Sequence, residues 1–243
     1  AYALTLSPTV AWVNLGEDSG DLLAASATLG IPHPTGYPLF VLIGRLATFL
    51  PLGSVAFRIN LVAALAGAAG VYFLARFVLE LKPRGASALG AVVAAATSAW
   101  IYAFSRGAWS QSVLAEVYPL NVAFLGAILW ALARAEREDD ARYLLLAAYL
   151  LGLGLTNHLL LLAAIPAVLV VALRLTFSRK IGTLVGVLLP LFALWGLTLD
   201  LYLPVRASQN PEFSWGAPVT PAQFAWVLTG AQYARNFFAR DLS

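Results

Sequence analysis

From Ser54 to Leu203 the chain alternates long apolar runs with short polar turns. A membrane helix needs about 20 apolar residues to cross ~30 Å of hydrocarbon. The runs predict spans at Ser54–Leu81, Ala86–Phe104, Ser112–Ala133, Tyr143–Thr156, Leu159–Phe177 and Ile181–Leu203, the fourth of them short. Ahead of these, Ala1–Val13 reads as the end of a truncated span, which brings the total to about seven. Residues 14–53 then form an outer loop. Its polar part, Asn14–Gly36, holds a small-residue helix, Gly20–Leu29, whose start Asp18 or Ser19 can cap. Its apolar part, Pro38–Leu50, is interrupted by Arg45 and stopped by Pro51, as suits an interfacial or re-entrant helix. From Pro204 the chain turns polar and aromatic, with a further helix expected over Pro221–Phe238. The pattern therefore predicts an all-α, polytopic transmembrane helix bundle over residues 1–203 and a non-cytoplasmic or interfacial segment over 204–243. It shows no heptad or solenoid period, and no inverted repeat of the transporter kind.

Composition agrees. Of 243 residues, 60% are hydrophobic and 11% charged, whereas soluble domains carry about 25% charged residues. The mean hydropathy is +0.80. A nucleic-acid module and a disulfide scaffold are both excluded, the latter because there is no cysteine. There is no methionine either, and Ala1 already sits in an apolar run, so the chain reads as a piece of a longer protein. The net charge of +3 matters only through its placement. Every second turn is basic. With Arg76, Lys82, Arg84, Arg134, Arg137, Arg142, Arg174, Arg179 and Lys180 on one side, only Arg45, Arg58, Arg106, Arg206, Arg235 and Arg240 remain for the other. The richer side is cytoplasmic by the positive-inside rule.

This topology gathers the uncommon polar residues on the non-cytoplasmic half. An ionisable group near a helix end is costly in hydrocarbon, so acids and bases from six segments at one level point to a shared polar cavity. Asp18 and Asp21, spaced i and i+3, share a face of the first helical turn, where one can act as general base and the other orient it. The plainer reading is that Asp18 is an N-cap and Asp21 complements the helix dipole. His33 lies in Ile31-Pro32-His33-Pro34-Thr35-Gly36-Tyr37-Pro38, a stretch stiff enough either to present an imidazole to a ligand or to be an ordinary surface turn. Arg58 and Arg206 sit where guanidiniums can take a phosphate in bidentate fashion or snorkel to lipid headgroups. Glu116 and Tyr118 are expected one to two turns inside the helix starting near Ser112, with Glu116 in need of a partner, structural or substrate. Asn157 and His158 separate two apolar runs. Trp100, Trp109, Trp195, Trp215, Tyr102 and Tyr202 read as interfacial belt anchors. No metal site is indicated, since His33 and His158 are far apart and no ligand spacing supports one. A divalent cation stays compatible with the acids.

Six short motifs occur in order: Glu17-Asp18-Ser19-Gly20-Asp21-Leu22; His33-Pro34-Thr35-Gly36-Tyr37-Pro38; Phe57-Arg58-Ile59-Asn60; Ala115-Glu116-Val117-Tyr118; Thr156-Asn157-His158; and Tyr202-Leu203-Pro204-Val205-Arg206-Ala207, followed by Asn210-Pro211 and Trp215-Gly216. Together they resemble the GT-C-type polytopic membrane glycosyltransferase family that includes the eukaryotic endoplasmic-reticulum transmembrane protein O-mannosyltransferase and bacterial homologues. The resemblance covers nearly the whole chain. It departs from the family at two positions, Asp21 where glutamate is usual and Thr35 where a second proline is usual. By this resemblance the donor is a sugar such as mannose on a polyprenyl phosphate, with a protein or glycan acceptor on the outer side. It further implies Asp18 and Asp21 as the catalytic acids, with Asp18 the base of a single inverting displacement. His33, Arg58, Glu116, Tyr118, Asn157, His158 and Arg206 would serve donor phosphate and substrate. No cofactor is required. The expected setting is a bacterial inner membrane with the site on the periplasmic side, among lipids and other membrane subunits.

Two other readings stand beside it. A glycosyltransferase-like scaffold could serve as a structural subunit without catalysis, although the retained acids speak against that. A transporter or channel would place its polar groups at the membrane midplane, not at one surface.

Overall fold

The structure, a computed structural model, describes residues 1–11, 18–82, 85, 87–178, 182 and 184–234. Among these the chain is helical, with a single isolated backbone bridge in place of a sheet. Helices α1 (Ser19–Thr28) and α2 (Pro38–Ala47) occupy the first loop. The bundle follows as α3 (Val55–Glu80), α4 (Ala88–Ala103), α5 (Arg106–Ser112), α6 (Tyr118–Glu138), α7 (Ala141–Leu155) and α8 (Ile165–Phe177), the last led in by a 3-10 stretch, Leu159–Ala164. Helix α9 (Leu184–Leu197) continues through a 3-10 turn, Thr198–Leu201, into α10 (Tyr202–Ala207), and α11 (Pro221–Leu228) lies beyond it.

Among the described residues, four segments are long and apolar enough to cross a membrane: Val55–Glu80, Tyr118–Glu138, Leu159–Phe177 and Leu184–Ala207. A fifth is available if α4 and α5, bent by 62°, form one broken span. Helix α7 is apolar but has 15 residues. The chain is thus an integral membrane protein of the polytopic, all-α kind. Polar caps start several of these helices: Ser54 Oγ accepts from Phe57 N at 3.0 Å, Ser87 Oγ from Gly90 N at 2.9 Å and Asp140 Oδ1 from Arg142 N at 2.9 Å. Each supplies an acceptor to a first-turn N–H that has no partner within its helix.

Helix α3 packs on α4 and α6, and α7 on α6 and α9. Ile128, Leu132, Leu144, Leu151, Leu161 and Val168 form the main core between α6, α7 and the α8 segment. Helices α7 and α9 touch along backbone. A Cβ on Gly152 would fall 1.9 Å from the Ala193 carbonyl oxygen, and one on Gly196 would fall 2.3 Å from Leu153 N. Small residues allow such contact where lipid gives no hydrophobic drive to helix pairing. One end of the bundle is tied by charge: Arg134 and Arg137 hold Glu80 at 3.3 and 3.0 Å, and Arg174 holds Glu136 at 2.9 Å. The starts of α3, α6 and α8 and the ends of α7 and α9 all lie at the opposite end.

Three expectations need correction. Within residues 1–11 the apolar N-terminal run is not the end of a helix; only Tyr2–Leu4 makes a 3-10 turn. The stretch is pinned across the bundle by main-chain bonds. Ser7 N donates to Val113 O at 2.8 Å, while the carbonyls of Pro8 and Ser7 accept from Ser54 Oγ at 2.6 Å and Asn60 Nδ2 at 2.9 Å. Pro8 interrupts helical bonding there. Trp12 and Val13 lie outside the described residues. Second, Ser105–Gln111 is not a plain turn and the next span does not begin at Ser112. Ser105 caps α5, and α6 starts at Tyr118 with Pro119 in its first turn, where a missing N–H costs nothing. Glu116 therefore belongs to an irregular link ahead of the helix, not inside it. In the C-terminal segment, α11 ends at Leu228, well short of Phe238, which is outside the described residues.

Candidate functional site

Leu22, Phe40, Ile59, Ala115 and Val117 pack together, joining α1, α2 and α3 to the link that carries Glu116. A second small core, Ile31, Leu203, Ala207 and Val227, draws the C-terminal segment onto the first loop. Main-chain bonds reinforce it: Ile31 N donates to Phe213 O at 2.8 Å and Trp215 N to Ile31 O at 2.9 Å. Tyr202 OH donates to Gly30 O at 2.9 Å. The loop bearing His33 is therefore held on both sides.

Within that frame the acids and imidazoles converge. Asp21 Oδ2 accepts the His33 main-chain N–H at 2.9 Å and also pairs with the ring Nδ1 of His33. The Tyr37 hydroxyl lies 2.9 Å from His33 Nε2 and 3.1 Å from the Pro34 carbonyl. Asp18 occupies the N-cap position of α1, yet its side chain accepts no capping bond. Its carboxylate stands 3.7 Å from His33 Nε2, with the side chain 53% exposed. The plain capping reading of Asp18 thus loses its contact, and the group is open to solvent and to a ligand.

The other wall comes from the two inter-helix links. Glu116 is buried, and burial, then the nearby charge of Asp18, pushes its carboxyl up to about 8. Asn157 is fully buried and its Nδ2 donates to Val117 O at 3.0 Å, which fastens the link after α7 to the link before α6. The His158 ring lies nearly parallel to that of Tyr37, with centroids 6.0 Å apart, and Tyr118 lies 5.4 Å from it. His158 Nδ1 accepts from Leu160 N at 3.1 Å, which leaves the proton of the neutral ring on Nε2. Burial lowers the pKa of His158, and the proximity of His33 lowers it further. That nitrogen is a neutral donor at pH 7.

The two arginines have structural employment. Arg58 donates through Nη1 to Thr48 O at 2.7 Å, through Nη2 to Gly53 O at 3.0 Å, and through Nε to Leu52 O, so it closes the end of α2. Arg206 donates through Nε to Leu29 O at 2.6 Å and through Nη2 to Thr28 O at 3.2 Å, with Nη1 on Gln209. Arg206 thereby borders the loop, whereas Arg58 is not part of the convergence. Three further residues belong to it that the sequence reading did not assign: Tyr37, Trp215 edge-on to His33 at 6.3 Å, and Tyr233, whose hydroxyl pKa is raised by burial and by the charges of Asp18 and Asp21. Tyr37 lies inside the loop motif around His33, and Trp215 reads from the sequence alone as a belt anchor. Glu17 lies outside the described residues. Among the described residues, no three His, Asp or Glu side chains are placed to hold a metal ion.

A bundle of membrane helices with two carboxylates, a buried acid and two imidazoles gathered at one end is a polytopic membrane protein with a cluster of ionisable groups there. The chain belongs to the family described as the protein O-mannosyl-transferase TMEM260 N-terminal domain, which matches residues 18–181. It is 33% identical over 236 residues to protein O-mannosyl-transferase TMEM260 of Mus musculus, covering 93% of this chain and 32% of that protein. To protein O-mannosyl-transferase tmem260 of Dictyostelium discoideum it is 27% identical over 183 residues, covering 68% of this chain and 21% of that protein. The chain thus spans about a third or less of these relatives' length. No solved structure matches significantly.

Proposed function

We propose that the chain carries the catalytic end of a membrane glycosyltransferase that moves a sugar, mannose by analogy with the names of its relatives, from a polyprenyl phosphate to an acceptor hydroxyl on a protein or glycan. The observation that carries this reading is the Asp18 carboxylate, placed at a helix start without capping it and turned toward His33. In the proposed step Asp18 takes the proton of the acceptor hydroxyl. The acceptor oxygen forms the new bond to the anomeric carbon while the bond to the lipid phosphate breaks, its electron pair leaving with the phosphate and the anomeric centre inverting. Asp21 orients His33, and the His158 Nε2–H supplies a donor to the departing phosphate, in place of guanidiniums already bound to carbonyls. Glu116, whose carboxyl burial raises to about 8, is mostly protonated at neutral pH and so adds little negative charge beside Asp18.

The basic helix ends, with Arg134, Arg137, Arg142 and Arg174, lie opposite the site, which supports a non-cytoplasmic face for it, the periplasmic one in a bacterial inner membrane. Transfer of labelled mannose from a prenyl-phosphate donor by the full-length protein in vesicles tests the reading. Activity lost in Asp18→Asn with donor binding retained supports it, and unchanged transfer by that variant overturns it.

A further inference from the structure

Asp200 stands outside the chemistry described above. It lies in the 3-10 turn between α9 and α10, is 5% exposed, and its Oδ1 has no hydrogen-bond partner. Among the described residues no basic side chain pairs with it. A carboxylate taken out of water needs a donor or a cation to offset the lost hydration. This one instead lines a cavity of about 390 Å³ whose other walls are almost entirely hydrocarbon, among them Leu155, Leu159, Leu197 and Leu228.

That combination selects its occupant by chemistry. A purely hydrocarbon chain would fill the walls and leave the carboxyl oxygen without a partner. A head group of net negative charge with no ammonium would be repelled by it. A primary ammonium on a lipid satisfies both, pairing with the Asp200 carboxylate while the lipid's chains cover the leucines. Leu159–Phe177 and Leu184–Ala207 are both long and apolar enough to cross a membrane, which puts the cavity between them within reach of lipid. We infer that Asp200 and its leucine walls form a binding site for an aminophospholipid of the phosphatidylethanolamine type, with its ammonium on Asp200. Leu159 directly follows His158, and Leu228 and Thr229 lead into Gly230, which packs beside Thr35. A bound lipid therefore braces two walls of the acid–histidine cluster from behind. The inference does not rest on the transferase reading.

The test is lipid retention by the purified full-length protein, read by native mass spectrometry after exchange into detergent with phosphatidylethanolamine or phosphatidylglycerol of identical acyl chains. The expected result is preferential retention of phosphatidylethanolamine. The isosteric variant Asp200→Asn, which lacks the charge, should lose about tenfold in that retention and show no change for phosphatidylglycerol. Should Asp200→Asn fail to fold, N-acylated phosphatidylethanolamine, which has no ammonium, is compared with the parent lipid on the unaltered protein and should be poorly held. Equal retention of the two head groups, unchanged retention in Asp200→Asn, or equal binding of the N-acylated lipid each overturns the site.

Discussion

The carboxylate of Asp18 stands 3.7 Å from His33 Nε2 while leaving the first-turn amides of its own helix uncapped. A group that makes no capping bond at a position where capping is usual, and whose side chain is half exposed, can be neutralised with little effect on the fold. Asp18→Asn is expected to melt with the parent protein and to lower transfer by about 10²–10⁴, the usual worth of a general base. Melting curves and single-turnover transfer by the same preparation check both halves.

Glu116 gives a pH signature. Its carboxyl is raised to about 8 in the fold from an ordinary value of 4.5. Between those values the folded state binds more protons than the unfolded one, so stability falls as pH rises. Glu116→Gln stays neutral throughout. It is expected to match the parent near pH 5 and to melt at higher temperature near pH 8, a crossover read by thermal unfolding in detergent at the two pH values.

Arg206 is expected to act on stability. It ties the Leu29 and Thr28 carbonyls, at the end of α1, to α10. Arg206→Gln should lose about 1.5–3 kcal/mol, the range for hydrogen bonds to charged groups, with donor affinity per folded molecule unchanged. A tenfold weaker donor affinity at unchanged melting temperature would return this guanidinium to the phosphate.

Gly152→Ala tests the α7–α9 seam. The added methyl would meet the Ala193 carbonyl oxygen at 1.9 Å, so the helices must part. A loss of about 1–3 kcal/mol is expected, as for overpacked cores. Gly186→Ala, in open space on α9, should be close to neutral in the same unfolding assay.

Much of this architecture was legible because length and hydropathy are sufficient signals for a span. Val55–Glu80 and Leu159–Phe177 fall within a residue or so of the runs that predicted them. The bend at Ser105 was not legible, since Ser-Arg-Gly reads equally as a turn or as a cap opening a short helix, and only the Ser105 bond to Ala108 N decides. The N-terminal run misled because its apolar side chains pack without helical bonding, Tyr2 and Leu6 being buried beside Ala64 and Val113. At the candidate site, the acids and histidines could be named from their rarity in an apolar chain. Tyr37 and Trp215 could not, because an aromatic side chain near a membrane surface has a commonplace explanation until its neighbours are known.

The pairing of Ile31 with the Phe213–Trp215 segment has a consequence for the making of the protein. These partners are separated by nearly the whole helical bundle, so the loop holding His33 is synthesised well before the segment that braces it. Closing so long a loop is entropically slow and comes after the intervening helices have been threaded into the bilayer. The nascent chain thus crosses the membrane repeatedly with its acid–histidine loop unbraced, and an insertion fault in any helix between them leaves that loop open.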